Sequence, residues 1–480
     1  MIKREAGSLT AKFRDSQILS KIMIVLAVVL FFVMLVFCGN YINIKMNGQT
    51  SSLPELSEND LNLLLRSAAS ESINNYDDLI EPVFIGIKNA DSKICATVNG
   101  EARKTFENLV YNQLIKLFSG TSENKTFDDN IQKYEYIESL KNSDRFVLIS
   151  FFSDIPAACF LPCMSQSYQV QNSNMLFDVK HLFLLSDENR DLYGVAVSSD
   201  YDINIIYPDS PVVFNKTTVE SYDIGEGYSH FEFDERFLLS PIMTSSSFVN
   251  DVEIKPSSMV YGKDVSSSFV ARLFDVFNFN ENLVKSFSSK NYTEMYYVDD
   301  LFELFINDNG TVEFKSNDLS LGIGLDEFLG YSAANNGKYS FNDKIFAIKN
   351  LVNLLVEENA LDDYCIVGVD YAEKNDVLSV YLKSFVNGGS VSQNVYDAVF
   401  KICGNNLVYA KYNACVLSFS QHESVCIPQK HANNLIVEKP FLEQNITFVP
   451  QLKLNESDEN YSFGWALFDL EKGVNEVANR

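Results

Sequence analysis

Histidine is nearly absent from this sequence. His181, His230, His422 and His431 are the four in 480 residues. None stands in an H-x-x-x-H arrangement, so the spacing argues against a metal held by imidazoles. The eight cysteines contain no repeated C-x-x-C, which excludes a zinc ribbon. Positive charge is short as well: 38 basic residues face 64 acidic ones, a net charge of −26. A surface of that sign repels phosphate backbones and argues against nucleic acid as a partner. Leu321-Gly322-Ile323-Gly324 lacks the third glycine of a dinucleotide fingerprint and reads as a loop. Ser266-Ser267-Ser268 and Gly225-Glu226-Gly227 match no nucleophile elbow. The acidic pairs Asp77-Asp78, Asp299-Asp300 and Asp362-Asp363 mostly flank helices or strands, where solvated caps explain them better than glycosidase carboxylates do. Cys159-Phe160-Leu161-Pro162-Cys163 has C-x-x-x-C spacing, not that of a redox motif. No catalytic residue, cofactor or metal is implied.

What the sequence does have is one long apolar run, Ile22–Cys38, of 17 residues without charge, glycine or proline, which Gly39–Ile42 prolongs to 21. At 1.5 Å per residue these lengths span about 25 and about 30 Å, the hydrocarbon thickness of a bilayer. A cleaved signal peptide would have a shorter apolar core and small residues at its end, whereas this run closes on Leu35-Val36-Phe37-Cys38. A lipidated Cys38 would require a small residue where Phe37 stands. A retained single-pass anchor fits best. Lys3, Arg4, Lys12, Arg14 and Lys21 outweigh Glu5 and Asp15 before it, so the N-terminus is expected inside the cell membrane and the bulk of the chain outside. Five basic against two acidic residues leave +3 on that tail, so of the overall −26 the remainder carries −29.

The exterior can build large cores, since 46% of the chain is hydrophobic and 13% aromatic, with 37 Phe and 24 Tyr. It is not a disordered stalk. Outside the span lie Cys95, Cys159, Cys163, Cys365, Cys403, Cys415 and Cys426, an odd number. They are expected mainly as small buried hydrophobes, with a bridge among the last four as the next reading.

Periodicity outlines an α+β fold of antiparallel sheets with packed helices. Residues 1–21 form a cytoplasmic tail, 22–42 the membrane helix and 43–57 a linker. An N-terminal α+β domain is expected over 58–243, a middle domain over 244–330, and a helix-plus-sheet domain over 331–480. A helix opens at Ser57, and Glu81–Ile87 reads as a strand. Phe106, Leu109, Val110, Leu114, Leu117 and Phe118 make one face of a helix over 101–118. Arg145–Phe152 is a buried strand stopped before Pro156. His181–Leu185, Leu192–Val197 and Tyr201–Tyr207 form a meander. Serine-rich residues 244–266 read as a loop, and 266–287 as one helix or two broken near Asn278–Asn280. Asn309-Gly310 marks a hairpin between Leu301–Ile306 and Thr311–Phe314. Asn342–Glu358 is the clearest exterior helix. It is followed by strands at Tyr364–Tyr371, Val377–Val386, Ala398–Ile402 and Leu407–Ala410, with closing strands at Thr447–Leu452 and Tyr461–Leu470.

The order of these pieces is familiar: a membrane helix, RFVLISFFSDIP, HLFLLSDENRDLYGVAV, ARLFDVFNFNENLVKSF, YYVDDLFELFINDNGTVEFKS, then the terminal helix-plus-strands unit. It resembles the YycH/YycI family, accessory proteins of the cell-wall sensor histidine kinase WalK (YycG) in Gram-positive bacteria. Leu273–Ser316 carries the likeness most clearly, although Val298-Asp299-Asp300 stands where the family often has Thr-Asp-Gly. The resemblance implies a non-enzymatic regulator of a two-component system that contacts the kinase and a YycI-like partner through its membrane helix and exterior. Ala27 is the only small residue in the span, so close small-residue packing is not expected. A broader contact face would run along Val25, Val29, Phe32 and Val36, against the plainer reading of a lipid anchor. Two rivals remain: an extracytoplasmic binding protein for a wall fragment or peptide, and an envelope hydrolase using paired carboxylates.

Overall fold

In the computed structural model, residues 79–478 are described apart from short segments, the longest being 97–109, 165–174, 213–227, 257–266 and 430–445. The expected tail, membrane span, linker and the helix opening at Ser57 therefore lie outside the described residues. Among those described, no helix is long and apolar enough to cross a membrane.

The described strands form two sheets. The first is built from β1 (Phe84–Asn89), β2 (Ser92–Ala96), β3 (Thr121–Asn124), β4 (Arg145–Pro156), β5 (Asp178–Ser186), β6 (Leu192–Val197), β7 (Ile203–Tyr207), β8 (Tyr228–Phe233) and β9 (Pro241–Met243). Its strand order is β3-β7-β6-β5-β4-β1-β2-β8-β9, antiparallel throughout. β4 sits near the middle and shows why its sequence is almost wholly apolar. Alternate side chains of a strand point to opposite faces, and both faces here are covered. Val147, Ile149 and Phe151 enter one core while Phe146 and Leu148 enter another. β5 divides the same way, Leu182 and Leu184 against Phe183 and Leu185.

Helical residues 110–111 and 113–118 cover the first of these faces with Val110, Leu114, Leu117 and Phe118. The approach is close: a Cβ added at Gly194 of β6 would lie 2.4 Å from Leu117 Cδ2. The other face is covered by α1 (Asn130–Asn142), which buries only Ile137 and Leu140. Its N-cap is Asp129, whose carboxylate accepts from the Gln132 amide at 2.8 Å. After β4 the chain turns through residues 157–159 into the five-residue α2 (Phe160–Met164), which is fully buried.

The second sheet comprises β10 (Ser247–Pro256), β11 (Lys285–Ser288), β12 (Glu294–Val298), β13 (Phe302–Asn307), β14 (Thr311–Ser316), β15 (Ile323–Gly324), β16 (Asp363–Ala372), β17 (Val377–Val386), β18 (Gly389–Ser390), β19 (Ala398–Cys403), β20 (Asn406–Asn413), β21 (Cys415–Cys426), β22 (Ile446–Asn455), β23 (Asn460–Asp469) and β24 (Val474–Ala478). Its main order is β11-β12-β13-β14-β20-β19-β17-β18-β22-β23-β10-β21, with β15, β16 and β24 added beside β20, β17 and β23. All pairs are antiparallel except β18 with β22. Strands from both sides of residue 330 thus share one sheet. Its helices are α3 (Ser267–Val276), α4 (Asp326–Leu329) and α5 (Phe341–Leu355).

Two local expectations are corrected. Residues 247–256 form β10 rather than loop; Phe248, Val252 and Ile254 repeat at the spacing of a strand, but the surrounding serines hid the pattern. The helix beginning near Ser266 ends at Val276, and Leu283 and Val284 lead into β11 instead of resuming a helix. Asn278 stops the helix with φ of 53°, a left-handed conformation that asparagine tolerates better than most residues.

α5 lies against the inner face of the second sheet. Ile345, Ile348, Leu351 and Val352 share a core with Leu304, Phe314, Val380 and Phe400. That core is continuous with the Val147–Ile149–Phe151 face of the first sheet, because α2 packs on α5 and the Lys349 ammonium donates to the Cys163 carbonyl at 2.8 Å. One helix therefore serves both sheets.

Candidate functional site

Three enclosed polar groups carry side chains of types that can do chemistry. On β4 and β5, Ser150 Oγ and His181 Nδ1 lie 2.9 Å apart. Both are buried, and their cross-strand neighbours are Phe84 and Val197. Burial, aided by the adjacent Lys180 ammonium, pushes the His181 pKa down to about 3. The imidazole is thus a neutral partner for the serine in a packed wall, not a base facing substrate. Next to it in sequence, Lys180 is also buried, with its pKa pushed down to about 8 by desolvation and partly held up by Asp154.

The cysteines are packing groups where their side chains are described. Cys95, Cys159, Cys163 and Cys365 are buried and Cys403 is half-buried, and all five carry thiols rather than half-cystines. Burial raises the Cys159 thiol pKa well above its ordinary value, and Cys163 adds to the shift, which suppresses thiolate chemistry. Asp299 caps a turn, accepting from the Leu301 and Phe302 amides at 2.8 and 2.7 Å. The other two acidic pairs fall wholly or partly outside the described residues. Among the described residues no group of three or more His, Cys, Asp or Glu side chains is placed to hold a metal ion.

The third group sits where the two sheets meet. Lys383 of β17 is fully buried, 3.9 Å from the buried Asp397 carboxylate and 5.5 Å from the centre of the Phe152 ring of β4. Asp397 also accepts from the Ser384 amide at 2.9 Å. Phe152 meets Phe385 edge-on at 5.7 Å, and Ser153 Oγ donates to the Val367 carbonyl of β16. Desolvation pushes the Lys383 pKa down to about 8, while Asp397 opposes the shift. Nothing in the sequence pairs Lys383 with Asp397; the antiparallel pairing of β17 with β19, which reaches Leu382 opposite Ala398, brings them together.

Outside these enclosed groups, the second sheet turns an outer row to solvent. Strand register aligns Phe287, Tyr296, Phe305, Glu313 and Lys411 across β11, β12, β13, β14 and β20. Their neighbours Leu304, Val312, Phe314 and Ala410 point the other way, into the core with α5. Tyr296 and Phe305 have ring centres 4.7 Å apart, and Glu313 and Lys411 are 3.9 Å apart. Phe287 is 58% exposed and Tyr296 42%. The expected contact residues of the membrane helix, Val25, Val29, Phe32 and Val36, lie outside the described residues.

The architecture, two large antiparallel sheets with a few packed helices, is that of an α+β protein, as the periodicity predicts. In fold it is similar to the crystal structure of YycH from Bacillus subtilis, with a TM-score of 0.51 over 85% of this chain and 98% of that one, at 13% sequence identity. A likeness at that identity is one of fold. An uncharacterized protein from Eubacterium rectale ATCC 33656 aligns with a TM-score of 0.31, covering 55% of this chain and 95% of that one at 11% identity. No protein-family model and no curated protein matches the sequence.

Proposed function

We propose that the chain is a membrane-anchored, non-enzymatic regulatory protein of a two-component system, biasing a cell-wall sensor histidine kinase through its membrane helix and its exterior, with a YycI-like protein as a further partner. The observation that carries this reading is the fold shared with YycH over 98% of that chain. The apolar run Ile22–Cys38 and the positive flank before it support a single-pass anchor with the acidic bulk outside. The enclosed polar groups support a non-catalytic role, because Ser150, His181 and Lys383 are satisfied or shielded within the packing.

A regulator of this kind works only through contacts that differ in energy between the kinase's two states. A difference of about 1–3 kcal/mol gives roughly 5–150-fold coupling, within reach of a helix face such as Val25, Val29, Phe32 and Val36 packing laterally. The test is made in the native host. Protease added to intact cells degrades the exterior, and deleting the gene changes transcription under the kinase's response regulator. A protected exterior or unchanged transcription contradicts the reading.

A further inference from the structure

β11 is the terminal strand of the second sheet among the described strands. Its four residues, Lys285, Ser286, Phe287 and Ser288, are all exposed. The hydrogen-bond phase of the pair is fixed at one end, where the Ser289 amide donates to the Glu294 carbonyl at 3.0 Å. Antiparallel pairs alternate between bonded and non-bonded positions. The Lys285 and Phe287 backbones therefore turn inward to Val298 and Tyr296, their partners in the register, while the amides and carbonyls of Ser286 and Ser288 turn outward. A row of outward donors and acceptors on an exposed edge is the complement of another extended chain.

The side chains specify that chain further. Phe287 ends the outer row that runs through the exposed Tyr296 and the half-buried Phe305, so a strand added at this edge extends the row by one position. Lys285 lies on the same face two residues away. In a chain whose net charge is −26, this edge strand carries a single positive charge and no negative one. We propose that β11 is a docking edge for an extended segment of a partner protein. That segment places an apolar side chain beside Phe287 and an acidic one beside Lys285, two residues apart. The partner's identity rests on the regulatory reading above; the edge geometry does not.

The experiment uses the full-length chain in membranes of the native host, with Phe287→benzoylphenylalanine as a photo-crosslinking probe that keeps an aromatic ring in place. The expected result is an adduct to the sensor kinase or the YycI-like protein, with the crosslinked peptide alternating apolar and acidic residues. Ser286→Pro with Ser288→Pro removes the two outward donors and leaves the bonds to β12 intact, since an edge strand accepts proline where its amide faces solvent. Adduct yield then falls about tenfold, the expected effect of two lost hydrogen bonds. Lys285→Glu lowers it as well without touching the backbone, which keeps the test sharp should the prolines disturb the strand. No adduct, an adduct to a second copy of this chain, or a yield unaffected by Lys285→Glu overturns the proposal. Gene deletion run in parallel separates the two claims: if deletion alters kinase output while the edge variants give no change in adduct, the docking edge fails and the regulatory reading stands.

Discussion

Acidification tests the buried imidazole of His181. In the unfolded chain its pKa is near the ordinary 6.5, whereas burial in the folded chain lowers it to about 3. A histidine depressed in this way costs stability as pH falls, because the unfolded chain takes up a proton that the folded chain refuses. The loss begins near pH 6.5 and continues toward pH 3. At pH 5 the unfolded group lies one and a half units below its midpoint, so the contribution is about 2 kcal/mol relative to pH 7. Carboxylates also titrate in this range, so the informative quantity is a difference. His181→Gln keeps a hydrogen-bonding partner for Ser150 Oγ and removes the titration. Urea unfolding of the detergent-solubilised chain, followed by far-ultraviolet circular dichroism at pH 7 and pH 5, gives both stabilities. The wild type should lose about 2 kcal/mol more than the variant between the two values. Parallel losses would refute an enclosed, neutral His181.

The Lys383–Asp397 pair predicts an asymmetry. Asp397→Ala leaves a fully buried ammonium without the Asp397 carboxylate and should cost about 3–5 kcal/mol in urea unfolding. Lys383→Met should cost less, since Asp397 keeps the Ser384 amide; equal losses would contradict the assignment. For the wild type, lowering the Lys383 pKa from 10.5 to about 8 means that stability gained from this group rises as pH climbs from about 8 toward 10.5, the sign expected where the unfolded chain binds more protons. That slope should vanish in Lys383→Met. Among the described thiols, Cys403 should react first with a thiol reagent in the folded chain, while Cys95, Cys159 and Cys163 should react only on unfolding; early labelling of those three would contradict their burial.

Much of the fold was legible where one period dominated the sequence. Arg145–Phe152 reads as a buried strand, and β4 continues it to Pro156 with its alternate side chains in two cores. The Asn-Gly signal gave the β13–β14 hairpin, where Gly310 takes φ of 91° and Asn307 Oδ1 accepts from the Thr311 amide at 2.9 Å. The broad stripe after Asn342 gave α5. α1 escaped notice because two buried residues in thirteen leave almost no stripe; the Asp129 cap was the signal to use. β10 was masked by flanking serines. The continuous core beneath both sheets could not be read from any one segment, because it depends on α2 and α5 meeting across 186 positions of chain at Cys163 and Lys349. The outer row of β11, β12 and β13 was hidden for the same reason: its members are neighbours only through strand register.

The proposed regulatory role has the chain act on a kinase through the membrane and through surface contacts rather than by chemistry of its own. The most direct measurement is kinase autophosphorylation in lipid vesicles, with the full-length chain added in its native form and again with Ile22–Cys38 exchanged for an unrelated apolar span. The account predicts a changed rate with the native chain and a rate close to that of the kinase alone with the exchanged one. Equal rates with both chains, or no effect of either, would contradict it.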